Sequence, residues 1–255
     1  LSGNLDVAGL TSEQLYRVMD LCLECKGCKG ECPSGVDMAK LKYEFLAQYF
    51  GARGYPLRSR LFGRVDLLFR LGSAFAPVSN WIGGSRLLWL AMDRFLGIDR
   101  RRRLPRFSRR RFSHWFRARP PRPAGAHGTV VLFGDTYSEY SEPEVAVAAT
   151  RILESAGFRV ELAAGTVCCG RPLISKGLLR QAQASARHNV AALSPYVERG
   201  LPIVGLEPSC ILTLRDEYPD LVDDPRTGAL ADNSYLLEEF LADLAGRGQL
   251  QVPFT

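Results

Sequence analysis

The sequence has no long apolar run. Its longest strongly apolar stretch is Leu87–Met92, six residues between Arg86 and Asp93. Because a helix that crosses a bilayer needs about 20 apolar residues, the sequence predicts no transmembrane segment and at most a peripheral contact with a membrane. An initiating methionine is also absent, since the sequence begins at Leu1. We therefore expect the natural start to lie upstream.

Acidic residues are absent from one long segment. Between Arg100 and Arg122 there are eleven arginines and no Asp or Glu, whereas the rest of the chain has 22 basic and 27 acidic residues. The net charge of +6 therefore comes from this segment alone, and nucleic-acid binding by a basic fold is not expected. Its prolines and interleaved aromatic residues predict a connector over 100–127. A membrane surface and nucleic acid are the alternative partners for it.

The seven cysteines do not suit a disulfide framework. Their number is odd, and four of them lie within eleven residues. Secreted disulfide-rich domains usually have an even number of cysteines in a short chain. The spacing instead favours a shared metal or cluster in a reducing compartment, so we expect a cytoplasmic protein.

The four clustered cysteines have the spacing of an iron–sulfur site. They form the run C-x2-C-x2-C-x3-C-P, which is typical of [4Fe–4S] ligation in bacterial ferredoxins, and are Cys22, Cys25, Cys28 and Cys32. Structural zinc sites usually hold two C-x2-C pairs about a dozen or more residues apart, so zinc is the less favoured alternative. Whether all four cysteines hold one cluster, or Cys32 serves a second one, stays open.

Two features of this run favour a cluster. Gly27 and Gly30 are expected to let the backbone approach the sulfur atoms, and Lys26 and Lys29 are expected to favour thiolates over thiols.

The periodicity of apolar residues changes along the chain. The first hundred residues predict helices at about 11–22, 37–50 (ending at Gly51), 57–71 and 85–96. From Thr129, strands at 130–133, 159–162 and 203–206 alternate with helices at 142–156 and 176–196, and a last helix is expected at 234–244. Alternating strands and helices predict a parallel sheet with right-handed crossovers. The predicted fold is therefore mixed: an all-α domain over 1–99, the connector, and an α/β domain over 128–255.

The remaining cysteines follow predicted strands. Cys168 and Cys169 come after the second strand and Cys210 after the third, so all three are expected at the carboxyl edge of the sheet, together with Asp135. Pro208 suits a first helical turn, which would place Cys210 where a helix dipole stabilises a thiolate. We interpret the three as metal or cluster ligands; the alternative is that they are small buried apolar residues.

An arginine follows the adjacent pair of cysteines. Arg171 is expected to favour the reduced state of a cluster bound there, because a fixed positive charge stabilises added negative charge.

Four segments resemble the iron–sulfur region of FAD-linked dehydrogenases and oxidases of D-2-hydroxy acids, of the D-lactate or D-2-hydroxyglutarate type. These segments are Leu21–Ala39, Leu132–Tyr140, Cys168–Gly177 and Gly205–Tyr218. The wider group of CCG-domain proteins includes iron–sulfur components of glycolate oxidase, anaerobic glycerol-3-phosphate dehydrogenase and heterodisulfide reductase.

The resemblance implies a domain organisation. The domain over 1–99 would be a ferredoxin-like [4Fe–4S] domain, and 128–255 would be a three-layer CCG domain, the first of two such repeats. The FAD domain, another cysteine group and the second repeat would then lie in the rest of a longer polypeptide.

The function implied by the resemblance is electron transfer. FAD in the rest of the protein, or in a flavoprotein partner, would oxidise a D-2-hydroxy acid, and one or two clusters would pass electrons to a quinone or cytochrome-like acceptor. Two alternatives stay open. One is thiol or disulfide chemistry at Cys168, Cys169 and Cys210, as in a heterodisulfide reductase, and the other is a zinc-stabilised interaction module.

Overall fold

The computed structural model describes residues 11–120 and 125–250. The chain forms two compact units: Leu1–Val65 with Gly170–Ala182, and Asp66–Cys169 with Gln183–Thr255. We call them the loop unit and the sheet unit. They divide the chain differently from the predicted domains over 1–99, 100–127 and 128–255, whose boundaries stay a prediction.

Helices dominate the described residues. Those before the first strand are α1 (Glu13–Asp20), α2 (Gly27–Glu31), α3 (Met38–Arg53), α4 (Leu57–Gly63), α5 (Val65–Ala74), α6 (Val78–Gly83), α7 (Arg86–Leu96) and α8 (Phe112–Arg117). Those after it are α9 (Thr136–Tyr140), α10 (Pro143–Ser155), α11 (Arg171–Ile174), α12 (Leu179–Glu198), α13 (Pro208–Leu212), α14 (Tyr218–Leu221), α15 (Arg226–Asp232) and α16 (Leu237–Gly246), with a π-helical turn at Thr213–Glu217. Within the described stretches, no helix is both long and apolar enough to cross a membrane.

The loop unit is organised around α3. The Asp37 carboxylate caps this helix by accepting a hydrogen bond from Lys40 N. The helix runs past Gly51 and ends at Gly54, whose φ of 87° is a conformation that glycine adopts without a steric penalty. Its buried aromatic face includes Tyr49, which stacks on Tyr16 with ring centroids 4.7 Å apart.

Segment 170–182 packs directly on α3. Gly177 has φ 69°, and a Cβ atom there would lie 2.6 Å from Ala47 N. Tyr55 also donates a hydrogen bond to the Gly177 carbonyl oxygen at 2.9 Å. This close backbone approach requires glycine, and it makes a short piece of chain from after the cysteine pair part of the loop unit.

The sheet unit has four parallel strands. They are β1 (Thr129–Phe133), β2 (Arg159–Leu162), β3 (Ile203–Gly205) and β4 (Ser234–Leu236), in the order β2-β1-β3-β4. The mixed α/β class with a parallel sheet is therefore confirmed, whereas the ferredoxin-like character of the amino-terminal domain stays a prediction. The helix predicted over 234–244 is wrong at its start, since a strand of three residues is too short to show a period of two.

The aromatic residues of the Arg-rich segment belong to the core of the sheet unit. Phe112 is 1% exposed and packs with Val130 and Leu132, and Trp115 and Phe116 pack against the same core. Arg119 forms an ion pair of 2.7 Å with Glu154. Residues 112–119 of the predicted connector are thus part of this unit.

Candidate functional site

The first candidate site is the cysteine loop, residues 22–32, in the loop unit. Cys22 follows α1, Cys28 lies in α2 and Cys32 comes directly after the last residue of α2. The sharp bends lie on either side of Cys25, where Glu24 and Lys26 have φ values of 57° and 59°. A left-handed conformation costs a residue with a Cβ atom about 1–2 kcal/mol, so contacts elsewhere in the unit must hold this shape.

The glycines of the loop do not make these bends. Neither Gly27 nor Gly30 is left-handed, and both have room for a Cβ atom. The left-handed backbone falls on Glu24 and Lys26 instead, and the expected approach of the Gly27 and Gly30 backbone to sulfur atoms stays a prediction.

The cysteines of the loop are free thiols. Met38 N donates a hydrogen bond to Cys28 Sγ at 3.4 Å. Hydrogen bonds from the backbone amides of Val36, Ser34 and Gly35 lower the pKa of Cys32, against a smaller opposing effect of burial. These donors favour the thiolate, which is the form that binds a metal or cluster.

Charged side chains are buried beside the loop. Lys42 Nζ lies 3.5 Å from Glu24 Oε1 and donates a hydrogen bond of 2.7 Å to the Cys22 carbonyl oxygen. Arg171 Nη2 lies 3.5 Å from Glu24 Oε2 and 3.3 Å from the Glu24 carbonyl oxygen. Two cations therefore face one carboxylate. The side chains of Lys42 and Glu24 are each only 9% exposed, so solvent screens this pair little.

Arg171 has a partner that the sequence did not suggest. Its guanidinium group is paired with Glu24 of the cysteine loop, and an effect of its charge on a centre at Cys168 and Cys169 stays a prediction. The pairing depends on the packing of segment 170–182 in the loop unit, which adjacency in sequence does not reveal.

The donor set of the cysteine loop suits an iron–sulfur cluster. It offers four free thiols, amide donors to two of the sulfur atoms, and two cations, Lys42 and Arg171, whose charge would help to offset the negative charge of a thiolate-bound cluster. Across residues 11–120 and 125–250, however, no three Cys, His, Asp or Glu side chains already converge as a metal site. Ligation by Cys22, Cys25, Cys28 and Cys32 accordingly stays a prediction.

The second candidate site lies in the sheet unit at the carboxyl edge of the strands. The structure brings Cys169 and Cys210 together, with their Sγ atoms 3.3 Å apart and both residues buried. Cys168 is partly exposed. Asp135 follows β1 and is 4% exposed, and its carboxylate accepts hydrogen bonds from the amides of Tyr137 and Ser138. A role for the three cysteines as ligands also stays a prediction.

The pKa of Cys210 differs from the expectation. Its hydrogen bond with Cys169 lowers the pKa, but burial and the charges of Glu207 and Asp135 together raise it above its usual value. Cys210 lies in α13 as predicted, but this helix has only five residues. In addition, Glu207 Oε2 already accepts the hydrogen bond from Cys210 N at 2.8 Å. A carboxylate therefore occupies the end of the helix that was expected to stabilise the thiolate.

Two polar residues behind the cysteine pair were missed by sequence analysis. Asn189 and Tyr218 are both completely buried. Asn189 Nδ2 donates to Tyr218 Oη at 2.9 Å, and Tyr218 Oη donates to the Cys169 carbonyl oxygen at 2.9 Å. The sequence did offer one signal for Asn189: it is a polar residue on the face of α12 that is otherwise apolar and buried, with Ala186, Val190 and Leu193.

Comparisons with known proteins find a match to the region that holds the second candidate site. Residues 135–215 match the family model of CCG, described as a cysteine-rich domain. The chain is 30% identical over 210 residues to a component of the anaerobic glycerol-3-phosphate dehydrogenase of Escherichia coli (strain K12), and the match covers 82% of this chain and 52% of that protein. It is 29% identical over 219 residues to the D-2-hydroxyglutarate dehydrogenase of Pseudomonas putida, covering 81% of this chain and 21% of that protein.

A shorter match involves a third oxidoreductase. The chain is 34% identical over 105 residues to a component of the fumarate reductase (CoM/CoB) of Methanothermobacter marburgensis, covering 41% of this chain and 19% of that protein. No solved structure matches the chain significantly. The chain thus spans about half of the first relative and about a fifth of the other two. The resemblance stated from the sequence is confirmed, and these relatives are oxidoreductases or components of them.

Proposed function

We propose that this chain, with its cysteine-rich domain and its similarity to dehydrogenases, is the iron–sulfur electron-transfer part of an FAD-linked dehydrogenase of the D-2-hydroxy acid type. The observation that carries the proposal is the cysteine loop, in which four free thiols with ferredoxin spacing lie beside a carboxylate, that of Glu24, paired with Lys42 and Arg171. The chain alone is expected to oxidise no substrate.

The residues of the chain supply the environment of the electron carrier. A bound [4Fe–4S] cluster would accept and release single electrons. Cys22, Cys25, Cys28 and Cys32 would hold it, and the amide of Met38 would stabilise charge on Cys28 Sγ. Lys42 and Arg171 pair with Glu24, and their positive charges favour the reduced and more negative state.

The direct test of the proposal is chemical analysis of protein purified without oxygen. We expect iron and acid-labile sulfide in equal amounts, and a broad visible absorbance that dithionite bleaches. Colourless protein that contains zinc alone would instead support the zinc-stabilised interaction module, and the proposal would then be abandoned.

Replacing the charges beside the loop should move the midpoint potential in opposite directions. Arg171→Ala is expected to lower the potential of the cluster by several tens of millivolts, because a positive charge at a largely buried position is lost. Glu24→Gln should raise the potential, since a negative charge is lost. The double variant should lie between the two single variants. Redox titration followed by EPR measures all three.

Arg53→Ala is the matched control for this cycle. Arg53 belongs to the same unit, but its guanidinium group pairs with exposed Glu13 at 3.4 Å, where solvent screens the charge. Its removal should leave the potential unchanged. Shifts of the same sign in Arg171→Ala and Glu24→Gln would show that loss of packing, not charge, determines the effect.

Cys169 and Cys210 support a second candidate function. Their Sγ separation of 3.3 Å suits two-electron dithiol–disulfide chemistry, as in a heterodisulfide reductase. Turnover of a disulfide substrate by protein with reconstituted clusters, and its loss in Cys210→Ser, would favour this function over simple electron transfer.

A flavoprotein is the partner that the proposal requires. Its FAD domain would belong to the same polypeptide or to a separate protein, and would deliver electrons one at a time to the cluster. The acceptor would be a quinone or a cytochrome-like protein. Co-purification of the chain with a yellow, FAD-containing protein would test the first part of this assignment.

The sheet unit also has a surface suited to an anionic membrane, which we propose as a peripheral docking surface on the cytoplasmic side. Helices α6 and α7 bury no residue. Trp81, Leu87 and Phe95 are each about 80% exposed. We call these three residues the apolar ridge.

Positive charge is held next to the apolar ridge. Residues 66–119 contain thirteen Arg, three Asp and no Lys or Glu. Asn80 of α6 exchanges two hydrogen bonds with the backbone of Phe107, at 2.9 and 2.8 Å, which fixes the Arg-rich segment beside this helix. Exposed aromatic and aliphatic side chains among cations are typical of surfaces that insert into the interface of anionic bilayers. Aliphatic Leu87 is a poor contact for nucleic acid, which makes lipid the better partner.

A further inference from the structure

The segment that carries the Cys168–Cys169 pair has little secondary structure of its own. Residues 163–169, between the end of β2 and Gly170, form neither helix nor strand. Their peptide groups therefore need partners from other elements. Asn189 of α12 and Tyr218 of α14 supply these partners.

The hydrogen bonds of the two side chains converge on three consecutive residues. Asn189 Oδ1 accepts from Val167 N at 2.8 Å, and Nδ2 donates to the carbonyl oxygens of Val167 at 3.1 Å and Cys168 at 3.4 Å. Tyr218 Oη accepts from Asn189 Nδ2 and donates to the Cys169 carbonyl oxygen. The network thus binds the main chain of each residue from Val167 to Cys169.

We propose that Asn189 and Tyr218 are positioning residues, which hold the Cys168–Cys169 backbone so that the thiol of Cys169, not that of Cys168, faces Cys210. The inference rests on the proposed function only in treating these thiols as working residues, and it applies whether they bind a cluster or form a disulfide.

Hydrogen bonds to the backbone determine which of the two neighbouring cysteines faces Cys210. Cys169 is buried 3.3 Å from Cys210, whereas Cys168 is partly exposed. If the backbone of this irregular segment rotates, the side chains of Cys168 and Cys169 change the directions in which they point. Hydrogen bonds to the backbone restrict this rotation, whereas a side chain that only fills the core would not.

The experiment measures which disulfide forms in cluster-free, full-length protein equilibrated with glutathione. Oxidised glutathione takes two electrons and two protons from a pair of thiols, yielding one protein disulfide and two molecules of reduced glutathione. Mass spectrometry of proteolytic peptides then gives the ratio of the Cys169–Cys210 bond to the Cys168–Cys210 bond. In the wild type we expect the first bond to predominate at least tenfold.

Tyr218→Phe removes one hydroxyl group and leaves the ring in place. We expect it to lower the ratio of the two bonds about tenfold, because the Cys169 carbonyl loses its donor and Asn189 loses an acceptor. Asn189→Leu should lower the ratio further. Tyr196→Phe is the matched control, since Tyr196 Oη accepts from Ala164 N at 3.1 Å, which lies in the same segment but before Val167–Cys169. Its ratio should equal that of the wild type.

Two results would overturn the proposal. One is a wild type that forms no Cys169–Cys210 bond at any glutathione ratio. The other is a Tyr218→Phe variant that melts at a lower temperature but keeps the wild-type ratio, as expected of a residue that only fills the core. Iron analysis is a separate measurement, so loss of the cluster assignment and loss of this proposal are distinguishable.

Discussion

The Cys25→Ser variant should lose the iron of the cysteine loop while the sheet unit stays folded. Cys25 is exposed and lies between two left-handed residues, so its thiol has no packing role that a hydroxyl would disturb. Serine is a much weaker ligand for iron than a thiolate. We expect iron to fall by about four atoms per chain, the content of one [4Fe–4S] cluster, together with an equal loss of sulfide.

The stability of the sheet unit supplies the second readout for this variant. The core of that unit centres on Val130, Leu132 and Val204 and contains no residue of the cysteine loop. Its thermal unfolding should therefore be unchanged in Cys25→Ser. Ser34→Ala, an exposed substitution that removes no thiol, should keep both the iron and the unfolding transition.

Cys210→Ser is the corresponding variant of the second candidate site. This variant should keep the iron of the cysteine loop and change only a centre that involves Cys169 and Cys210. Full iron content in Cys25→Ser would contradict iron binding by the cysteine loop. An equal loss of iron in both variants would contradict two independent cysteine sites.

The sequence predicts those parts of the fold that depend on local patterns. Strands β1 to β3 are indicated by short apolar runs, such as Val130–Phe133, and the spacing of the loop cysteines is visible without a structure. β4 has only three residues, which is too few to show the alternation of apolar and polar residues that indicates a strand. Its pairing with β3 depends on neighbours in space.

The parts that the sequence does not predict depend on packing between distant segments. Gly177 lies against α3, and this contact is what makes segment 170–182 part of the loop unit. For the same reason, Arg171 pairs with Glu24, which is 147 residues away. Tyr218 reaches the Cys169 carbonyl across 49 residues. Motif spacing identifies the thiols, but it does not identify the residues that orient them.

Removing the apolar ridge should abolish most binding to anionic vesicles. In the triple variant Trp81→Ser, Leu87→Ser, Phe95→Ser, we expect about 100-fold weaker binding to vesicles of phosphatidylcholine and phosphatidylglycerol. Partial insertion of each side chain contributes about 1 kcal/mol. Because the three side chains bury little surface in the protein, the free energy of unfolding should stay close to that of the wild type. Sedimentation with vesicles measures the binding.

Controls separate insertion from simple attraction of charge. Val145→Ser removes an apolar side chain of the same unit that is 45% exposed, and it should bind vesicles as the wild type does. Raising the salt concentration should weaken binding of the wild type, since charge attraction to the anionic surface is screened. Wild-type affinity in the triple variant would contradict the membrane assignment. It would leave a protein partner, such as the flavoprotein, as the occupant of this surface, because exposed apolar patches of this kind mark interaction sites of either type.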